Sequence, residues 1–333
     1  MGDTGTRERP TCWVVTDGKV GMEVQCLGLA EALGLEPTVK QIDMPRPWRW
    51  LAPRFIQDPL ARLGPGGDGL APPWPDVLIG SGRQAIAPSI AIRTASGGGT
   101  FTIQVQNPVV DPARFDVVVA PRHDGLKGAN VVTTTGSLNR ITPERLATAA
   151  ERFGPRFDDL PRPLVAVLLG GNNKVYRMTG RTMRGLGERL AALAHREGAG
   201  LLVSPSRRTG AKALDALSGP LDGVPARIWD GQGENPYFGF LALADALVVT
   251  ADSVNMVCEA ATTGKPVYVV DLDGGSRKFR RFHETLRADG ITRPFDGRLE
   301  TWTYPPLRDT QDAAVEIGRR WRERGMTEAA PAA

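Results

Sequence analysis

With 333 residues, 41% of them hydrophobic, the chain is long enough for two domains that each bury a core. Its formal charge of only +4 favours anionic ligands weakly and gives no nucleic-acid signature, so no nucleic-acid partner is expected. Cys12, Cys26 and Cys258 stand far apart with no CxxC pair or His/Cys cluster, which argues against a disulfide framework and a zinc site and fits a reducing compartment.

The N-terminal stretch MGDTGTRERP lacks the apolar core of a signal peptide, and no segment has the length of a membrane span, so a cytoplasmic protein is expected. Residues 1–6 do fit the loose N-myristoylation pattern, which is short enough to recur by accident. Short apolar runs then alternate with helix-patterned segments, as in parallel sheets with crossover helices. In the first half the strands are CWVVTD, TVKQIDM, DVLIGS, TFTIQVQ, FDVVVAP and NVVTTT, with helical patterns from about Val20 to Leu33 and from Arg83 to Arg93. Prolines between Pro45 and Gly69 break any single helix there.

Loops that follow parallel strands are where such sheets bind ligands. TDGKVG places Asp17, Gly18, Lys19 and Gly21 after the first strand, and SGRQ places Arg83 after the third. These are the acceptor-side candidates, with Arg83 suited to an anionic acceptor. Residues 45–60 interleave Trp48, Trp50, Phe55 and Ile56 with Arg46, Arg49 and Arg54. That mixture suits a membrane interface or a lipid-linked acceptor. The preferred reading is plainer: a connector that buries its tryptophans against the sheet. His123 follows the strand FDVVVAP with Asp124 beside it. An unperturbed histidine titrates near physiological pH, so His123 is a general-base candidate, with Asp17 its rival; a structural role stands against both.

The polar, proline-bearing stretch Glu151–Pro163 reads as an interdomain linker. The alternation restarts with LVAVLLGG, a helix over Met178–Glu197, GLLVSPS, a helix over Thr209–Leu217, ARIWD, a short helix over Tyr237–Ala244, ALVVT and PVYVVDL. Gly170, Gly171 and Asn172 follow the first of these strands, where N–H groups free to donate would suit a pyrophosphate; a plain glycine turn is the alternative. Ser206, Arg207, Arg208 and Thr209 follow the second, and a guanidinium fork suits phosphate. In TADSVNMVCEAATTGKP, Ser253 is an N-cap and the helix start can hold phosphate. Asn255 stands near that start and Glu259 nearly two turns in. A carboxylate there can accept from both hydroxyls of a ribose, or it is simply exposed on a capped helix. Asn235 and Tyr237 reach a sugar or base, or cap the helix that follows. Asp271 and Asp273 form D-L-D after a buried strand and are discounted as metal ligands. A last helix, Asp312–Glu323, sets Ala313, Ala314, Ile317 and Trp321 on one face.

The pattern S-x-x-x-x-x-E-A-x-x-x-G-K-P resembles the donor segment of GT-B glycosyltransferases. More closely, TDGKVGMEVQCLGLAEALG, DVLIGSGR, QVQNP, LLGGNN, SPSRRT, ENPY and TADSVNMVCEA, in that order, resemble the mitochondrial fission family, whose plant members are named for elongated mitochondria. The likeness, to a bacterial-type member, covers roughly residues 11–325. It implies an α/β fold of two facing Rossmann-like domains with a cleft between them. Residues 1–155 would form an acceptor-side domain, 160–310 a donor domain, and 311–325 a helix crossing back to the first. It implies that Glu259 holds the donor ribose, that Arg207 rather than Arg208 meets the diphosphate, and that the nucleobase lies near Ile228 and Trp229. The activity implied is metal-independent transfer of a sugar, from a UDP-linked donor and without a cofactor, to a lipid-linked or cell-envelope acceptor at the inner membrane face. A sugar-nucleotide epimerase and a non-catalytic adaptor are the competing readings.

Overall fold

A computed structural model describes residues 9–54 and 57–328. The pattern at residues 1–6, and Phe55 and Ile56 of the aromatic and basic stretch, lie outside the described residues. The chain divides into two compact units, residues 1–140 with 308–333, and residues 141–307.

In unit 1 the chain runs β1 (Cys12–Thr16), α1 (Val20–Ala32), β2 (Pro37–Gln41), α2 (Trp48–Leu51), β3 (Val77–Ser81), α3 (Ile86–Ala95), β4 (Phe101–Val105), β5 (Val117–Pro121) and β6 (Val131–Thr134). The strands form one parallel sheet in the order β2-β1-β3-β4-β5-β6. β3 and β4 are buried along their whole length, as strands covered on both faces must be. The last helix, written α10 (Asp309–Glu328) in chain order, belongs to this unit. Its Ala313, Ala314 and Ile317 join the core that holds Leu29 and Ala30 of α1. The Asp309 carboxylate accepts from the Thr135 and Gly136 N–H groups, each at 2.8 Å.

Unit 2 begins with α4 (Pro143–Phe153), capped by the Thr142 hydroxyl with Pro143 at its first position. The expected linker at 151–163 is therefore corrected. α4 packs on a helix of unit 2, and a Cβ at Gly239 would lie 2.7 Å from Phe153, so the boundary falls at Arg140. Next come β7 (Leu164–Leu169), β8 (Tyr176–Arg177), α5 (Gly180–Glu197), β9 (Gly200–Pro205), α6 (Ala211–Ser218), β10 (Ala226–Ile228), α7 (Tyr237–Leu243), β11 (Ala246–Thr250), α8 (Val254–Thr262), β12 (Val267–Val270), β13 (Asp273–Gly274), α9 (Arg277–Ala288) and β14 (Thr292–Pro294). The main sheet is parallel with order β10-β9-β7-β11-β12-β14, which in order of appearance is 3-2-1-4-5-6, the Rossmann order. β8 and β13 pair separately and antiparallel. α9, absent from the sequence reading, is strongly amphipathic, with Phe282, His283 and Leu286 buried.

Candidate functional site

Strand order reverses in unit 2 between β7 and β11, and the loops after these strands meet there. The Gly170 N–H donates to the Thr250 hydroxyl and the Gly171 N–H to the Asp252 carboxylate, both at 2.8 Å. The expectation that these N–H groups stand free for a pyrophosphate is corrected: both are used inside the fold. The glycines serve close packing. A Cβ on Gly170 would lie 2.3 Å from the Asp252 carboxylate oxygens, and one on Gly171 would lie 2.1 Å from the Arg208 carbonyl oxygen. The Asn172 side chain accepts from the Met178 N–H at 2.8 Å, so it holds its own loop.

Asp252 is the hub. Its side chain is fully buried, accepts from the Thr250 hydroxyl at 2.8 Å and pairs with Arg208 at 3.0 Å. Ser206 donates to the Gly170 carbonyl and accepts from the Arg208 N–H, and the buried Thr209 hydroxyl donates to the same carbonyl at 2.7 Å. Ser206 and Thr209, placed by the sequence beside Arg207 in a candidate phosphate loop, thus tie β9 to the end of β7. Both arginines are exposed, but they divide by partner: Arg208 pairs with buried Asp252, whereas the Arg207 side chain makes no hydrogen bond or ion pair among the described residues.

Ser253 caps α8 by accepting from the Met256 N–H, and Asn255 is half-buried in the first turn. Glu259 is not the exposed side chain of a plain capped helix: it is 8% exposed. Its Oε2 accepts from the Tyr237 hydroxyl at 2.5 Å. Burial pushes the carboxyl up to about 7, against the lowering effect of the Tyr237 bond. Burial, with Glu259 beside it, also raises the Tyr237 phenol well above its usual range. Lys265 of the GKP motif donates to the Leu241 carbonyl at 2.9 Å and the Ala242 carbonyl at 2.5 Å, closing the end of α7. Asn235 accepts from the Tyr237 N–H at 3.0 Å, so of its two readings the structure gives the cap. Ile228 is half-buried at the end of β10, and the Trp229 ring N–H donates to the Gln232 carbonyl at 3.2 Å.

In unit 1 the order reverses between β1 and β3, and Asp17 and Arg83 follow those two strands. The Asp17 side chain is 3% exposed; its Oδ2 binds Lys19 and accepts from Gln84 at 3.1 Å, while its Oδ1 is buried without a hydrogen-bond partner among the described residues. Gly18 has φ +73°, and the Gly21 carbonyl accepts from Gln25 at 2.8 Å. Arg83 is exposed, and its guanidinium donates to the Ala52 and Trp50 carbonyls. His123 Nε2 lies 3.6 Å from Asp124 Oδ1, and both side chains are buried. The connector does not bury its tryptophans as expected: Trp50 is 63% exposed, with the Arg46 guanidinium 4.9 Å from its ring, and α2 has no buried residue. Among the described residues no helix is long and apolar enough to cross a membrane.

The model for the family described as mitochondrial fission ELM1 matches residues 20–321. The chain belongs to the mitochondrial fission ELM1 family. Mitochondrial fission protein ELM1 of Arabidopsis thaliana is 36% identical across 76% of this chain, and the chain spans only 65% of that relative's length. A Rickettsia prowazekii protein is 24% identical, covering 92% of this ELM1-family chain and 97% of its own. Among solved structures, UDP-GlcNAc 2-epimerase of Methanocaldococcus jannaschii, in complex with UDP-GlcNAc and UDP, has a TM-score of 0.55 at 12% identity, over 96% of this chain and 100% of that one. Such a likeness shows the fold, and it is the α/β fold of two Rossmann-like units expected from the sequence. Sequence reasoning passed over Asp252 and the pairing of Glu259 with Tyr237. The first had a signal, an aspartate just beyond a buried strand in TADS; the pairing of residues 22 apart had none.

Proposed function

We propose that unit 2 binds the nucleoside diphosphate of a UDP-linked sugar, and that the protein transfers the sugar to an acceptor hydroxyl without a metal. The Glu259–Tyr237 pair carries this reading. A carboxyl held near neutrality at a strand-end switch point is a functional-site candidate, since burying a titratable group there costs stability that packing alone does not require. Ionised Glu259 accepts from the ribose hydroxyls. Arg207, exposed beyond the end of β9, supplies a fork of donors to the diphosphate. In transfer the acceptor oxygen bonds to the anomeric carbon as the bond to the diphosphate breaks, and the acceptor's hydroxyl proton passes to a general base. The guanidinium and the N-terminal dipole of α8 stabilise the charge on the departing group. Exposed Trp50 beside Arg46 supports peripheral contact with a membrane or a lipid-linked acceptor.

Epimerisation of the nucleotide sugar is the second reading, favoured by the name of the epimerase whose fold the chain shares. A thermal-shift screen of the full chain with UDP, UDP-glucose and UDP-GlcNAc tests binding, and a rise in Tm is expected. No rise with any of them overturns the proposal and leaves an adaptor role, in keeping with the name of the Arabidopsis relative. Proton NMR of the incubated nucleotide sugar separates the enzymatic readings: release of UDP marks transfer or slow hydrolysis, and an inverted ring centre marks epimerisation.

A further inference from the structure

Unit 2 has a pocket of about 620 Å³, where β12 ends and α9 begins, that the donor residues above leave unused. Asp271, Arg277, Arg280, His283, Glu284 and Arg287 line it. One wall is Tyr176, packed edge-on against Phe279 with ring centroids 5.1 Å apart, so the pocket adjoins the loop that leaves β7.

His283 is 8% exposed, and its Nε2 lies 2.8 Å from the Ala251 carbonyl oxygen. A carbonyl only accepts, so Nε2 carries the proton and Nδ1 presents a lone pair. That Nδ1 is buried and has no hydrogen-bond partner among the described residues. Burial lowers the pKa of the ring, which keeps it neutral. The Arg277, Arg280 and Arg287 side chains make no hydrogen bond or ion pair among the described residues, although Asp271 and Glu284 line the same pocket. The lining therefore asks for two things at once. The Asp271 and Glu284 carboxylates accept from hydroxyl donors, and the three arginines want an anion. An acidic sugar has both. The carbonyl that holds His283 belongs to Ala251, next to the Asp252 hub, so the pocket borders the proposed diphosphate site.

We propose that this pocket receives the glycosyl group of the donor, and that this group carries a carboxylate or a phosphate. The inference rests on the UDP-sugar reading. Calorimetric titration of the full chain with UDP, UDP-glucose, UDP-glucuronate and UDP-glucose 6-phosphate tests it. At least one acidic donor binds about tenfold tighter than UDP-glucose, the scale of one charge-assisted contact, and the better one tells carboxylate from phosphate. In Arg277→Ala/Arg280→Ala, two exposed positions, the preference falls to about twofold, and Arg287→Ala checks the same ratio independently. Equal affinity for acidic and neutral donors, or a preference that survives in both variants, overturns the proposal. If UDP itself fails to bind, the UDP-sugar reading falls and this proposal with it; if UDP binds and no preference appears, only this proposal falls.

Discussion

The strand-end loops of the two units solve the same geometric problem differently. At the switch point of unit 2 the polar groups largely satisfy one another: the Gly171 N–H, the Thr250 hydroxyl and Arg208 close on Asp252, the Ser206 and Thr209 hydroxyls close on the Gly170 carbonyl, and the Gly170 N–H closes on the Thr250 hydroxyl. At the switch point of unit 1 the corresponding aspartate, Asp17, keeps one buried oxygen without a partner among the described residues. Asp252 is thus a structural strut, whereas Asp17 leaves one buried carboxylate oxygen unmatched among the described residues. A loop rich in Gly, Ser and Arg marks where a ligand site lies. Which of its atoms face a ligand depends on which ones the loop needs for itself.

Breaking the two aspartates sharpens this contrast most. Asp252→Ala strands the Gly171 N–H, the Thr250 hydroxyl and Arg208, and should cost about 4 kcal/mol of stability in denaturant unfolding, most of it from the buried donors because Arg208 is partly exposed. Asp17→Ala loses the charge-assisted hydrogen bond from Gln84 and an exposed lysine contact while removing an unmatched buried oxygen, and should cost about 2 kcal/mol. Equal costs would erase the distinction between a strut and a carboxylate left partly unmatched.

The next effect is pH-dependent and belongs to Glu259. Its folded pKa, about 7, lies above the ordinary 4.5, so its contribution to stability is fully present below about 4.5 and lost as pH rises through about 7. Glu259→Gln cannot titrate. Measured against this variant, the wild type should lose up to about 3 kcal/mol of relative stability between pH 4.5 and pH 8. A constant difference across that range would place the carboxyl in an ordinary, solvated setting. Smaller again is Gly170→Ala, at about 2 kcal/mol, because the new Cβ meets a fully buried carboxylate.

The alternating apolar runs, such as LVAVLLGG and ALVVT, made the parallel sheets legible in the sequence, because strands covered on both faces need continuous apolar side chains. The helix and cap around Ser253 were legible from local chemistry alone. Three features were not. α9 reads as a charged run, RKFRRFHETLR, whose buried face is only Phe282, His283 and Leu286. The linker reading failed because Phe153 and Phe157, which look isolated in a polar stretch, pack with Gly239 and Phe240. The internal use of Ser206 and Thr209 depends on carbonyls of β7 almost forty residues away, which no local spacing reveals.

The smallest effect on stability is expected at Arg207, where replacement by Lys should change unfolding by less than about 0.5 kcal/mol. Its effect on binding is the direct test of the central claim, that exposed Arg207 and buried Glu259 hold a nucleoside diphosphate on unit 2. The measurement is calorimetric titration of UDP into the wild type, Arg207→Lys and Glu259→Gln at pH 8, where Glu259 is ionised. UDP should bind the wild type and lose about 1–2 kcal/mol of affinity in each variant, the scale of a lost charged hydrogen bond. Equal UDP affinity in all three proteins, with their folds intact, would contradict the account.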